Sequence, residues 1–204
     1  MKRYDKAYFD KWYRRQRVNA PAEVRRKVAL AVAAAEYFLT RALRDVLDVG
    51  CGEGAWREHL RALRPRVHYL GVDPSDYAVQ TFGRARNLRK ASFGELASLR
   101  IDRQFDLVVS SDAIHYVPDD ELRYGLPALV ALAGGIVFLD LLTAEDDIVG
   151  DVEGLIRRPA AWYRKLFRQH GLIPVGAYTW AAPPMHDSLA ELEKVKNQDL
   201  TLST

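Results

Sequence analysis

The decapeptide DVLDVGCGEG, Asp45–Gly54, decides how the chain reads. It is an apolar run broken by one acid, Asp48, and then glycine at every second position: Gly50, Gly52 and Gly54. Val46–Val49 reads as a buried strand. Glycines straight after it let the chain turn with positive φ and bring bare backbone N–H groups close to a ligand. In an open α/β sheet, ligands bind beyond the carboxyl ends of the strands.

Outward from this stretch, short apolar runs alternate with helical segments. The runs are Val46–Val49, Val67–Val72, Phe105–Ser110 and Ile136–Leu142, with Arg89–Phe93 weaker. The helices between them fall at about 54–63, 75–82 and 119–133, the last capped by Asp119-Asp120 and stopped by Gly134-Gly135. Near-continuous apolar strands separated by helices indicate a parallel sheet covered on both faces. Pro159 opens a further helix through His170, ended by Gly171. Pro174–Trp180 reads as a strand, and Ser188–Val195 is open between strand and helix.

Upstream, residues 4–17 read as a helix with Tyr4, Tyr8, Phe9, Trp12 and Tyr13 on one half and Lys6, Arg14 and Arg17 on the other. Asn19-Ala20-Pro21 breaks it, and Pro21 opens an Ala-rich helix to about Thr40. Residues 1–30 carry ten Lys or Arg against three acids, so the net charge of +3 conceals a basic arm on a mildly acidic remainder. Such an arm is a solvated helix face or a nucleic-acid contact. At 204 residues a single core is expected, burying roughly two thirds of the unfolded surface. One cysteine, Cys51, excludes an internal disulfide and fits a cytoplasmic location. No stretch approaches the roughly 20 apolar residues of a bilayer span, so no membrane partner is expected.

The second strand ends in GVDPSDY, with Asp73 at its tip, 25 residues after Asp48. A carboxylate there is placed to accept the two hydroxyls of a ribose. The G-x-G-x-G spacing differs from the dinucleotide G-x-G-x-x-G, and Asp48 and Glu53 would repel a pyrophosphate. Both suit a ligand with a positive centre. VLDVGCGEG resembles motif I of the class I S-adenosylmethionine-dependent methyltransferases. Asp73 matches their ribose-binding acid, and FDLVVSSDAIHYV, residues 105–117, is similar to their fourth-strand motif. The resemblance covers about residues 40–142.

It implies a Rossmann-like, doubly wound, mostly parallel seven-stranded sheet with helices on both faces and an N-terminal helical extension. The division expected is a helical cap over 1–40, a cofactor-binding domain over 41–196 and a flexible tail over 197–204. It implies S-adenosyl-L-methionine as cofactor, with S-adenosyl-L-homocysteine as product and no metal. The residues expected to hold it are Asp48, Gly50, Cys51, Gly52, Gly54, Asp73, Pro74, Ser92, Phe93 and Ser110. Family members often have an acid where Phe93 stands here; Ser92 or the Phe93 backbone would serve the adenine instead, and Phe93 could equally be core.

His115, five residues beyond the fourth strand, is the candidate general base, since a neutral imidazole accepts a proton near pH 7. Packing under the following helix is the other reading. Tyr13, Asp112, Tyr116 and Tyr163 are candidate substrate contacts, from an arm closing over the cofactor, the fourth-strand loop and the stretch 142–167, which reads as a lid, a substrate wall or a plain helix-capping loop. The expected activity is methyl transfer to oxygen or nitrogen of a small molecule. The alternatives are a nucleic-acid enzyme or binder using the basic arm, and a cofactor-binding protein without catalysis. The sequence leaves the acceptor and oligomeric state open.

Overall fold

The computed structural model describes residues 4–193 apart from 17, 19, 149 and 192. Seven strands form one sheet: β1 (Asp45–Val49), β2 (His68–Asp73), β3 (Leu88–Lys90), β4 (Phe105–Ser111), β5 (Ala133–Asp140), β6 (Ile173–Gly176) and β7 (Thr179–Ala181). Their order is β3-β2-β1-β4-β5-β7-β6. The first five pair in parallel, and β7 lies antiparallel between β5 and β6. The order reverses between β1 and β4, so the loops after these two strands open a crevice between them. This is the doubly wound sheet the sequence implied.

Helices α2 (Pro21–Leu39), α3 (Trp56–Leu63) and α4 (Asp76–Arg86) cover one face of the sheet. Val24, Val28, Ala31 and Val32 of α2 pack there with Trp56, Leu60, Leu107 and Phe138. On the opposite face, α5 (Asp119–Leu132) and α6 (Ala160–Gln169) bring Leu122, Leu126, Leu129, Leu166 and Phe167 onto Leu47, Val108 and Val137. Strands β1, β2, β4 and β5 are therefore apolar on both sides, which is why they appear in the sequence as unbroken runs, whereas the edge strand β3 exposes Arg89 and Lys90. Among the described residues, no helix is long and apolar enough to cross a membrane.

Several local expectations are corrected. The N-terminal helix expected over 4–17 starts at Lys6, where Asp5 caps it by accepting the Tyr8 N–H (3.0 Å). After α1 (Lys6–Phe9) the chain widens into a π-helix, Asp10–Arg15. The wider turn puts Phe9 and Tyr13 on one side, with ring centroids 5.1 Å apart. Arg17 and Asn19 lie outside the described residues, as do Val195 and the expected tail over 197–204. Asp119 does not cap its own helix, because its carboxylate is taken by Arg158 (2.7 Å).

Gly134 and Gly135 do not stop α5; they lie within β5, where the register shifts between Phe105 and Leu107. A Cβ on Gly135 would lie 2.2 Å from the Asp106 carbonyl oxygen, so only glycine admits so close a neighbour. Pro174–Trp180 is a hairpin rather than one strand. Its turn is made by Gly176 and by Tyr178 in left-handed backbone (φ 57°). The stretch after 182 begins as a 3-10 turn, Pro183–Ser188.

Candidate functional site

The glycine turn follows β1 at the point where β1 and β4 part. Gly50, Gly52 and Gly54 all have positive φ (75°, 53° and 75°). The Gly50 and Cys51 N–H groups donate to the Val72 carbonyl at the end of β2 (2.8 and 3.1 Å). Gly50 has a second reason to be glycine: a Cβ there would lie 2.4 Å from that of Ala113. The turn is thus clamped between the ends of β2 and β4.

Asp73 ends β2 and is buried. One carboxylate oxygen accepts the Gly52 N–H (2.7 Å) and the other accepts the Ser75 N–H (2.8 Å). Burial raises its pKa above the usual carboxylate range, and the two backbone donors oppose that shift. Each oxygen keeps a further lone pair for a ligand hydroxyl.

Asp48 sits beneath the turn. It is 2% exposed and accepts a hydrogen bond from the Tyr69 hydroxyl (2.7 Å). Burial pushes its pKa up to about 7, with the nearby Asp73 charge adding to the shift and the Tyr69 bond opposing it. The carboxylate expected to face a positive ligand is therefore buried, with one oxygen held by Tyr69.

A pH dependence follows. The folded form of Asp48 holds its proton to higher pH than the unfolded form, so folding favours the protonated state. That stabilisation is complete below pH 4 and is lost as pH rises toward 7. Asp48→Asn keeps an acceptor for Tyr69 and has no charge to desolvate. Between pH 4 and 7 the melting temperature of the native protein should fall relative to Asp48→Asn by roughly 3–5 °C per pH unit, from about 1.4 kcal/mol per unit. Thermal melts of the two proteins test this, and a constant offset across that range rules out the proton.

The N-terminal arm lies directly on the glycine turn. A Cβ on Gly52 would be 3.2 Å from the Tyr13 hydroxyl and 3.3 Å from the Phe9 ring. Phe9 is 1% exposed and packs on Tyr77 of α4 (5.5 Å between centroids). The Ser75 hydroxyl donates to the Tyr4 carbonyl (2.5 Å), tying the start of the arm to the β2 tip. Arg14 pairs with Glu53 (2.9 Å) and Lys6 with Asp10 (2.6 Å).

Beside the turn is a cavity of about 250 Å³. Tyr8, Trp12 and Tyr13 of the arm form one wall, and Asp112, His115 and Tyr116 beyond β4 form another. Leu142 and Asp151 from the loop after β5 complete it, with Glu23 of α2 at the edge. Asp112 has positive φ (54°) and receives Lys27 (3.1 Å), which also pairs with Asp140 (2.6 Å). Desolvation acts to lower the Lys27 pKa, but these two carboxylates outweigh it and hold the ammonium charged. The Tyr116 hydroxyl donates to the Asp151 carbonyl (2.7 Å). His115 is 1% exposed, and its Nδ1 accepts the Leu142 N–H (3.2 Å).

The structure therefore brings Tyr13, Asp112, His115 and Tyr116 to one cavity beside the glycine turn and Asp73. It places four expected residues elsewhere. Tyr163 is 2% exposed in the α6 core, its hydroxyl held by the buried Arg158 (3.0 Å), so it does not line the cavity. Phe93 is core: its carbonyl and ring fill the space where Gly125 of α5 lacks a Cβ (2.3 and 2.5 Å). The Ser92 N–H is taken by Glu95 (2.7 Å), and Pro74 is exposed beside the β2 tip.

Ser110 is fully buried near the end of β4. Its hydroxyl is the sole buried side-chain polar atom without a hydrogen-bond partner among the described residues. Glu23 and Lys27 were not anticipated. Their four-residue spacing on the polar face of α2 was the available signal, and it is the signal of any exposed helix pair. No cluster of metal-ligating side chains occurs among the described residues.

Residues 47–133 match the family described as a methyltransferase domain. The malonyl-[acyl-carrier protein] O-methyltransferase of Bacillus cereus is 26% identical over 101 residues, 47% of this chain and 37% of that protein. The ubiquinone biosynthesis O-methyltransferase of Nitrosospira multiformis is 31% identical over 106 residues, 48% of this chain and 43% of that protein. The matched stretch thus spans less than half the length of either relative. Among solved structures, S-adenosylmethionine-bound CalS10, an amino pentose methyltransferase from Micromonospora echinaspora, aligns over 89% of this chain and 99% of its own. Its TM-score is 0.63 and its identity 18%, a shared fold.

Proposed function

We propose, on the premise that this chain carries a class I methyltransferase domain, that it binds S-adenosylmethionine and methylates a small molecule at oxygen or nitrogen. The observation that carries this reading is the glycine turn, bonded through Gly52 to Asp73 and opening beside a cavity walled by Tyr13, Asp112 and His115. The residues present fit the cofactor. Asp73 keeps lone pairs for a ribose, the glycine turn lies against it through Gly52, and the buried Ser110 hydroxyl has no partner among the described residues.

Bound there, S-adenosylmethionine supplies a methyl group on a positive sulfur that leaves neutral. The protein's task is positioning, which can provide many powers of ten in rate. Gly50–Gly54 and Asp73 hold the nucleoside end. Phe9 and Tyr13 cover the turn, and Tyr8 and Trp12 wall the cavity, where they would keep water from the reacting atoms. Asp112, its carboxylate directed by Lys27, stands on the acceptor side.

A small-molecule acceptor accords with the size of the cavity and with the names of the relatives. The ion pairs of Arg14 and Lys6 give two of the arm's charges partners within the protein, which favours a covering role over nucleic-acid binding. Calorimetry should show binding of S-adenosylhomocysteine and none of NAD. The reverse result would overturn the reading. Transfer of labelled methyl from S-adenosylmethionine to hydroxyl or amine compounds then identifies the acceptor class.

A further inference from the structure

We infer that His115 serves this cavity as a fixed Nε2–H hydrogen-bond donor, and not as the base that takes the acceptor's proton. The inference rests on reading the cavity as the acceptor site. The ring follows β4 on a 3-10 turn, Ile114–Tyr116, and is 1% exposed. Its Nδ1 lies 3.2 Å from the Leu142 backbone nitrogen. A backbone N–H can only donate, so Nδ1 must present its lone pair. A neutral imidazole with a lone pair at Nδ1 carries its proton on Nε2.

The surroundings hold the ring in this sense. The His115 carbonyl accepts the Ile156 N–H (2.9 Å), and the Tyr116 ring packs against the imidazole at 4.4 Å between centroids. The backbone of the loop after β5 thus grips the residue at two points, Leu142 and Ile156. A base at Nε2 would need the opposite tautomer. That would set a ring N–H against the Leu142 N–H and leave a buried donor unsatisfied. The imidazolium has the same conflict, since it carries a proton on both nitrogens.

Whatever Nε2 meets, whether a side chain of this wall or a ligand, it meets as a donor. A ligand at that position must therefore offer a lone pair, as a carboxylate, a carbonyl, a hydroxyl or a neutral amine does. An ammonium group is disfavoured there. Where the acceptor must lose a proton, the groups on the same cavity suited to take it are the carboxylates of Asp112 and Asp151.

The test reads the ring directly. The protein has five histidines. In protein labelled with ¹⁵N-histidine, two-bond ¹H–¹⁵N correlation at pH 7, with and without S-adenosylhomocysteine, gives the tautomer of each. The His115 signals are those missing from His115→Gln. If that variant does not fold, replacing His59, His68, His170 and His186 in turn assigns the remaining set to His115. The expected result is a neutral ring protonated at Nε2 alone. A ring protonated at Nδ1, or at both nitrogens, overturns the inference. The measurement needs no turnover, so failure to bind S-adenosylhomocysteine would defeat the proposed function while still deciding the tautomer.

Discussion

Gly135→Ala is expected to melt about 6–12 °C or more below the native protein, whereas Gly134→Ala should melt close to it. The two glycines are adjacent in β5, but their surroundings differ. At Gly135 an added methyl meets backbone, the Asp106 carbonyl oxygen at 2.2 Å and its carbon at 3.1 Å. Relief would require separating β4 from β5 at the sheet's central pair. At Gly134 the nearest atom is Gln104 Cβ at 3.2 Å, which has to give by only a few tenths of an ångström. Overpacking that forces backbone apart costs about 3 kcal/mol or more, a large share of the roughly 5–15 kcal/mol that holds a domain together. For a domain of this size that is a fall of about 6–12 °C or more. Comparing the melting temperatures of the two variants tests the local geometry. If they melt within a degree or two of each other, β4 and β5 do not approach as described.

Asp73→Ala should raise the dissociation constant for S-adenosylhomocysteine by roughly 10–150-fold. Hydrogen bonds to a charged group contribute about 1.5–3 kcal/mol, and this carboxylate would lose its bonds to a ribose. The variant also removes the acceptor of the Gly52 and Ser75 N–H groups, so the glycine turn itself loosens. Asp73→Asn separates the two effects. Its amide retains one acceptor oxygen and replaces the other with a donor, so part of the turn's support survives. Titration of native, Asn and Ala forms, each below its melting point, should give affinities in that order. Equal affinities for native and Ala forms would mean that the ribose does not lie at Asp73.

The parts of the site legible in the sequence are those written in consecutive residues. Val46–Val49 followed by spaced glycines specifies both strand and turn, because periodicity and φ requirement act within a few residues. Asp73 could be placed because a strand–helix–strand unit has a predictable length. What escaped the reading depends on partners far along the chain. Asp48 reads as a ligand group, and the sequence does not show that Tyr69, 21 residues on, holds one of its oxygens. Tyr163 looked available for substrate, and only the folded position of Arg158 makes it core. The β6–β7 hairpin was read as one strand because its left-handed turn residue is Tyr178, not the asparagine or glycine that usually marks such a turn. His115 was found by its place after β4, but its protonation is set by the backbone N–H of Leu142, which no side-chain pattern records.

The sheet order also sets a timetable for the chain as it is made. β5 is complete at Asp140, but β7, which closes its outer edge, begins at Thr179. At a synthesis rate of about 5–20 residues per second, the intervening stretch takes roughly 2–8 s to appear. Throughout that interval a fully apolar strand, Ile136–Leu139, presents an unpaired row of backbone groups to its surroundings. The nascent protein is then most prone to join a neighbour, and a ribosome stalled before codon 179 would release a chain that aggregates rather than one that is merely inactive.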